Sequence, residues 1–138
     1  MAVVFLDSAY AIALSAATAQ FHPQAVRLAE QLASSQTKLI TTRAILLEIG
    51  NALSKVRYRS AAVRLLQAIE ADPNVEVVAL SEDLYARAFC LYRDRMDKEW
   101  GLIDCISCVV MQERNIADVL TTDEHFRQMG FQILMQSE

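Results

Sequence analysis

Two kinds of segment alternate along the chain. Short runs rich in apolar and β-branched residues occur at residues 3–6, 38–42, 75–80, 119–122 and 131–135. Runs of this length and composition are typical of buried strands. The segments between them carry apolar residues at helical spacing, which predicts one or two helices after most of the strands. The predicted order of elements is therefore β-α-α-β-α-α-β-α-α-β-α-β.

Capping residues and helix breakers set the predicted helix boundaries. Helices are predicted over residues 9–19, 43–56, 60–71, 102–114 and 124–129, and two more begin near residues 22 and 81. Asp7 and Ser8 can cap the first helix, and Gly130 can end the last one. Buried strands separated by helices indicate a parallel sheet covered on both faces. We therefore predict an α/β fold, a three-layer α/β/α architecture with a central, mostly parallel sheet, in one domain over residues 1–138.

Composition narrows the class of protein. Of the 138 residues, 54% are hydrophobic, which excludes a disordered chain and is enough for a core without disulfides. The three cysteines are an odd number, which argues against a disulfide scaffold and suits a reducing compartment. The sequence carries neither the charged start of a secretory signal nor an apolar stretch long enough to span a bilayer. We expect a cytoplasmic protein with no membrane association.

Charge is distributed unevenly along the chain. The net charge of −4 disfavours a passive nucleic-acid binder, which is usually basic. Residues 40–69 nevertheless hold five basic residues and one acidic residue, a net charge of +4, whereas the rest of the chain carries −8. An anionic partner would therefore be attracted by this basic segment and not by the rest of the chain.

Acidic residues follow two of the predicted strands. Asp7 comes directly after the first strand, and Asp123 comes directly after the fourth. Ligands of an open parallel sheet bind beyond the carboxyl ends of its strands, which is where both residues stand. Each Asp alone could be an ordinary helix cap, but two at one edge of the sheet favour a binding or catalytic site. Asp118 precedes the fourth strand and is assigned to the opposite edge.

Two further acids stand among apolar residues. Asp104 lies in a helix that is apolar on nearly all sides, which predicts a buried carboxylate, although an Asp in a first turn can also interact with the helix dipole. Glu48 is the one acid of the basic segment, and large apolar residues flank it. The alternative for Glu48 is a solvated side chain paired with Arg43 or Lys55.

Carboxylates gathered in one crevice need a compensating charge. Two unit charges about 4 Å apart repel each other by roughly 4 kcal/mol at an effective dielectric constant near 20. Oxygen ligands alone select hard cations, so Mg²⁺ is the expected cofactor, with Mn²⁺ as a substitute. Ions of this kind bind phosphate oxygens and activate water. The acids therefore predict metal-assisted hydrolysis of a phosphate ester.

The motifs around these acids resemble those of PIN-domain ribonucleases, in particular the VapC-like toxins of toxin–antitoxin pairs. The resemblance rests on residues 4–8, 42–53, 102–107 and 120–126, followed by Gly130 and Phe131. It implies a doubly wound sheet and a metal-dependent endoribonuclease. It also implies that the catalytic and metal-binding acids are those at the four positions above: Asp7, Glu48, Asp104 and Asp123.

The same resemblance implies three partners, namely an RNA substrate, a cognate antitoxin and a second copy of the chain in a homodimer. Ser8 matches the polar residue that follows the first Asp of the family. The basic residues around Glu48 are expected to hold RNA phosphates: Arg43, Lys55, Arg57 and Arg59. Apolar surface on the helices over residues 25–33 and 43–66 is expected to serve association.

Other chemistries fit the sequence less well. Cys105 and Cys108 have the spacing of a redox pair, but they lie inside an apolar helix, and we interpret them as buried, reduced thiols. We interpret His125 as a surface residue of a short helix and not as a catalytic base. The chain has no glycine-rich phosphate loop. The function that remains open beside the nuclease is a non-catalytic protein- or RNA-binding module on the same fold.

Overall fold

The sheet of the protein, described here from a computed structural model over residues 3–135, is parallel throughout. Its spatial strand order is β3-β2-β1-β4-β5. Register is fixed by pairs such as Phe5 with Ile40 and Phe5 with Val119. The strands are β1 (Val3–Leu6), β2 (Lys38–Thr42), β3 (Val75–Val78), β4 (Asp118–Leu120) and β5 (Gln132–Ile133).

The order of helices and strands predicted from the hydrophobic pattern is confirmed, and so is the α/β/α architecture with its parallel central sheet. The chain moves outward from β1 to β2 and β3, then returns to place β4 on the other side of β1. Right-handed crossovers in opposite directions put the connecting helices on opposite faces of the sheet. The helices are α1 (Ser8–Ser15), α2 (His22–Ser34), α3 (Arg43–Ala52), α4 (Val56–Ala71), α5 (Glu82–Asp94), α6 (Leu102–Glu113) and α7 (His125–Gln128).

Three predicted helix boundaries are wrong. The first helix ends at Ser15 and not at residue 19, because the chain then turns so that the His22 ring can bond the Ala13 carbonyl. The helix predicted over residues 43–56 ends at Ala52, and the next begins at Val56 and not at residue 60. Arg59 stabilises this break by donating two hydrogen bonds to the Ser54 carbonyl, at 3.2 and 2.6 Å.

The core lies between the sheet and its helices. The strand β1 is buried almost completely, and α6 turns six of its residues inward, as its apolar sequence predicts. Among residues 3–135, no helix reaches the combination of length and hydrophobicity that a membrane span needs. The chain reverses its direction of travel across the sheet between β1 and β4, so a crevice opens at the carboxyl ends of these two strands.

Candidate active site

Asp7 lies at the carboxyl end of β1 and is almost completely buried, with 5% of its surface exposed. It occupies the N-cap position of α1, yet its side chain does not make the capping hydrogen bond, so the capping interpretation is wrong for this residue. Its Oδ2 accepts a hydrogen bond of 2.7 Å from the Thr121 hydroxyl. Burial raises the pKa of Asp7 to about 7, and the nearby carboxylates of Glu48 and Asp104 act in the same direction.

Glu48 faces the same crevice from α3. The Ser8 hydroxyl donates a hydrogen bond of 2.5 Å to its Oε1. Because Ser8 follows Asp7 directly, this bond links the start of α1 to the middle of α3. The structure pairs Arg43 with Glu70, so the alternative pairing of Glu48 with Arg43 is wrong, and Glu48 is half-buried.

Asp104 lies in the first turn of α6, at the same edge of the sheet. Its Oδ2 accepts a hydrogen bond of 3.0 Å from the backbone amide of Gly101, so one carboxylate oxygen satisfies a free donor at the helix start. Only 17% of its side chain is exposed. Burial raises the pKa of Asp104, and the charge of Asp123 adds to this effect. A position in the first turn of the helix and burial, which were the two alternatives drawn from the sequence, are therefore both present.

Asp123 and His125 complete the cluster from the segment after β4. The Asp123 Oδ1 accepts a hydrogen bond of 2.9 Å from the His125 backbone amide. The ring Nδ1 of His125 lies 3.2 Å from Asp104 Oδ2 and 3.3 Å from Asp123 Oδ1. The interpretation of His125 as an uninvolved surface residue is therefore wrong. Its position two residues after Asp123 was the signal available in the sequence.

Thr121 is a second site residue that the sequence reasoning missed. It is fully buried, donates to Asp7 and accepts a hydrogen bond of 3.0 Å from the Asp123 backbone amide. One hydroxyl therefore connects the acid after β1 with the acid after β4. A hydroxyl residue at the carboxyl end of a strand, two positions before an acid, was the available signal.

The residues of this acidic cluster, defined as Asp7, Glu48, Asp104, Asp123 and His125, suit a divalent cation. Asp104, Asp123 and His125 each offer one donor atom, and these atoms all lie within 4.8 Å of one another. Several carboxylates in a half-buried crevice repel one another unless protons or a cation neutralise them. The donor set, of carboxylate oxygens and one imidazole nitrogen, is one that divalent metals accept.

The basic residues of the segment over residues 40–69 make their contacts outside the acidic cluster. Arg43 forms an ion pair of 2.5 Å with Glu70, and the Arg57 guanidinium lies 4.7 Å from the ring centre of Tyr58. Arg59 is bonded to the Ser54 carbonyl, and Lys55 stands at the N-cap position of α4. All four basic side chains are exposed, so each can still meet an anionic ligand.

The cysteines take no part in the site. Cys105 and Cys108 are buried in α6 as free thiols, which confirms the interpretation as buried, reduced residues. Burial raises the pKa of Cys108 to about 11, so this thiol stays protonated at neutral pH.

The family model of the PIN domain matches residues 4–132 of the sequence. The chain therefore belongs to the PIN domain family, the class of protein that the resemblance of its motifs predicts. No curated protein matches the sequence significantly.

Two solved structures extend this comparison. The toxin VapC20 of Mycobacterium tuberculosis, described as cleaving the sarcin–ricin loop, is 26% identical, with a TM-score of 0.81 over 93% of this chain and 95% of that one. A chain of the VapBC2 complex from Rickettsia felis, bound to a DNA fragment from their promoter, has a TM-score of 0.71 at 14% identity, and 99% of each chain is covered. The first is similar in sequence and fold, and the second in fold alone.

Proposed function

We propose that this protein is a metal-dependent endoribonuclease and the toxin of a toxin–antitoxin pair. The observation that carries the proposal is the convergence of acids from four separate segments on one crevice at the carboxyl ends of β1 and β4. Membership of the PIN family and similarity to a toxin that cleaves RNA support it.

The acids divide into two groups in this proposal. Asp104 and Asp123 hold the divalent cation, Mg²⁺ or Mn²⁺, together with Asp7, either directly or through water. When bound, the ion stabilises charge on phosphate oxygens and lowers the pKa of a coordinated water. Glu48, fixed by the Ser8 hydroxyl, orients the attacking water or completes a second cation position.

The raised pKa of Asp7 couples cation binding to the release of a proton in this proposal. With a raised pKa, Asp7 holds a proton near neutral pH until a cation neutralises the neighbouring carboxylates. Thr121 keeps the Asp7 carboxylate pointed into the crevice in either state. The site is therefore built to exchange a proton for a metal ion.

The decisive experiment measures cleavage of RNA by the purified protein with Mg²⁺ or Mn²⁺ and with EDTA. We expect cleavage that requires the ion and is lost in Asp7→Asn and Asp104→Asn. Calorimetric binding of Mn²⁺ should weaken in the same two variants. Asp118→Asn is the matched control, because it removes a carboxylate from the start of β4, at the opposite edge of the sheet.

Cleavage that persists in EDTA, or Mn²⁺ binding that is unchanged in both variants, would contradict the proposed nuclease. RNA binding without any cleavage would instead indicate the non-catalytic module. Sequencing of RNA ends after induced expression of the wild type and Asp7→Asn identifies the target, and ribosomal RNA is the first candidate because VapC20 is described as cleaving the sarcin–ricin loop.

The antitoxin would lie in an apolar groove of about 250 Å³ between α1, α2, α4 and the sheet. Leu14, Leu32 and Leu65 contribute to its walls, and an apolar groove is the kind of surface that binds the apolar face of a partner helix. In this arrangement the antitoxin also places a basic side chain in the acidic cluster, where it substitutes for the cation. Co-expression with the neighbouring small open reading frame should abolish cleavage, and undiminished cleavage would contradict an inhibitory partner.

A homodimer is the second assembly in the proposal. Exposed apolar side chains on α3 and α4 offer surface for association: Leu47, Val56 and Val63. Light scattering at high micromolar concentration should give twice the mass of the chain. A monomer at that concentration would contradict the dimer.

A further inference from the structure

The imidazole of His125 lies beside two carboxylates of the acidic cluster, within the distances at which ligands of one metal ion are found. Its Nδ1 lies 3.2 Å from Asp104 Oδ2 and 3.3 Å from Asp123 Oδ1, on the side of the crevice formed by α6 and the segment after β4. Ligand atoms at right angles around an octahedral ion, each about 2.1 Å from it, are about 3 Å apart. Both distances from His125 Nδ1 therefore match the spacing of neighbouring ligands on one ion, and the donor atoms of the three residues all lie within 4.8 Å of one another.

The two carboxylates keep the ring in this position. Asp123 Oδ1 accepts a hydrogen bond from the backbone amide of His125, and this bond fixes the start of α7. Asp104 Oδ2 accepts a hydrogen bond from the backbone amide of Gly101, and this bond fixes the first turn of α6. Each of these oxygens has a further lone pair, so the backbone bonds leave the carboxylates able to bind a cation.

A nitrogen ligand changes which ion the site prefers. Mg²⁺ and Mn²⁺ favour carboxylates and water, whereas imidazole suits the later first-row transition ions Fe²⁺, Ni²⁺, Cu²⁺ and Zn²⁺. The expectation drawn from the sequence, that oxygen-only ligands select Mg²⁺, does not include this residue. The mixed set of two oxygens and one nitrogen is less suited to Mg²⁺ than four acids alone would be.

We propose that His125 is a metal ligand through Nδ1 and that it shifts the preference of the site from Mg²⁺ towards first-row transition ions, the series to which the spectroscopic probe Mn²⁺ belongs. This inference rests on the proposed function, since it concerns the same cation. The competing interpretation is that the ring only forms hydrogen bonds to the two carboxylates and leaves when the ion enters.

The test compares wild type, His125→Ala and His22→Ala, loaded with Mn²⁺. His22 is the matched control because the chain has two histidines, and this one bonds the Ala13 carbonyl, away from the cluster. Pulsed electron paramagnetic resonance detects the coupling of a directly bound imidazole nitrogen to Mn²⁺. Calorimetry gives the affinities for Mn²⁺ and Mg²⁺ in each protein.

We expect nitrogen coupling in wild type and His22→Ala and none in His125→Ala. Loss of the ligand should weaken Mn²⁺ binding by at least about tenfold, since removal of a group that only supports a metal ligand already costs that much, and should weaken Mg²⁺ binding less. His125→Asp, which replaces the nitrogen by an oxygen, should keep a bound ion but lower the ratio of Mn²⁺ to Mg²⁺ affinity.

Wild type that binds Mn²⁺ and cleaves RNA without nitrogen coupling would overturn this inference and leave the proposed nuclease intact. Equal or tighter Mn²⁺ binding in His125→Ala would also overturn it, because the ring would then compete with the ion. Wild type that binds no divalent ion would overturn both proposals.

Discussion

Asp7 is a carboxylic acid that the fold holds in surroundings unfavourable to its charge. Burial raises its pKa to about 7 from an ordinary value of 3.8. Between these two pH values the folded protein binds one proton more than the unfolded chain, so the free energy of unfolding falls as the pH rises. The loss is complete above about pH 7 and amounts to at most roughly 4 kcal/mol in the metal-free protein.

The first prediction is that Asp7→Asn stabilises the metal-free protein. In EDTA at pH 8 the variant should melt at a higher temperature than wild type, because the amide never has to ionise and can still accept the Thr121 hydrogen bond. At pH 5, where Asp7 is protonated in the folded protein, the difference in Tm should be less than half of its value at pH 8. Asp118→Asn is the control, and a Tm difference that is equal at both pH values, or that matches the control, would contradict the prediction.

The second prediction concerns the Thr121 hydroxyl. Thr121→Val keeps the shape of the side chain but leaves the Asp7 carboxylate without this donor and the Asp123 amide without an acceptor. We expect a loss of about 1–3 kcal/mol in unfolding free energy and roughly a 10- to 100-fold fall in the rate of RNA cleavage. Thr121→Ser restores the hydroxyl and should recover most of the rate. Cleavage by Thr121→Val as fast as by the wild type would contradict a role of the hydroxyl, and cleavage slower in Thr121→Ser than in Thr121→Val would indicate that the methyl group matters instead.

The candidate site could be predicted from the sequence as far as chain order and topology determine it. Asp7 directly follows β1 and Asp123 lies three residues after the end of the neighbouring parallel strand β4, so both stand at the same edge of the sheet. Thr121 and His125 were not predicted as site residues, because their roles depend on side-chain rotamers and on a two-residue turn at Asp123. Neither feature produces a periodic pattern in the sequence. The burial of Asp104 could be predicted because apolar residues precede and follow it throughout its helix.

At the scale of elements, the segment between α5 and α6 positions the first turn of α6. Trp100 is buried, and its Nε1 donates a hydrogen bond of 2.9 Å to the Gln128 side chain of α7. The Arg95 guanidinium lies 5.1 Å from the Trp100 ring centre and is held there by the two hydrogen bonds that it donates to Asp97. Gly101, whose amide binds Asp104, follows Trp100 directly.

The third prediction is therefore that Trp100→Phe lowers the stability of the protein. The smaller ring leaves unfilled volume and loses the hydrogen bond, which together lower the unfolding free energy by about 1–3 kcal/mol. Urea unfolding followed by circular dichroism measures this, since the chain has no other tryptophan to report by fluorescence. Gln128→Ala removes the same bond without disturbing the ring. If only the bond matters, the two variants will lose equal stability.

Element boundaries were the part of the fold that the hydrophobic pattern could not supply. A continuous helix over residues 43–56 would place Val56 on a buried face, yet its side chain is 94% exposed. The break between α3 and α4 depends on the bonds from Arg59 to a backbone carbonyl, and these have no hydrophobic signature. The strands, in contrast, were predictable because burial on both faces forces them to be apolar.

At the scale of the whole molecule, the separation of charge along the chain bears on how RNA would be held. The acidic cluster repels phosphate, so attraction has to come from elsewhere, and the basic segment over residues 40–69 contains Glu48 itself. All four basic side chains are exposed, but Arg43 and Arg59 bond to protein oxygens elsewhere in the chain, whereas Lys55 stands at the start of α4 and Arg57 contacts the ring of its neighbour Tyr58. The latter two are the better probes, because replacing Arg59 would also loosen the α3–α4 connection.

The last prediction is that Lys55→Gln combined with Arg57→Gln reduces the salt dependence of RNA binding. Each phosphate of a single strand that the variant no longer neutralises should lower the slope of log affinity against log salt by about 0.7. Fluorescence anisotropy with a short RNA measures the slope in an Asp104→Asn background, in which cleavage is expected to be abolished. Arg87→Gln with Arg114→Gln is the matched control, since it removes two positive charges that are ion-paired with Glu113 and Glu76. Equal slopes in the two double variants would mean that RNA does not cross the basic segment, and that the positive charge of α4 serves another anionic partner, such as an acidic antitoxin.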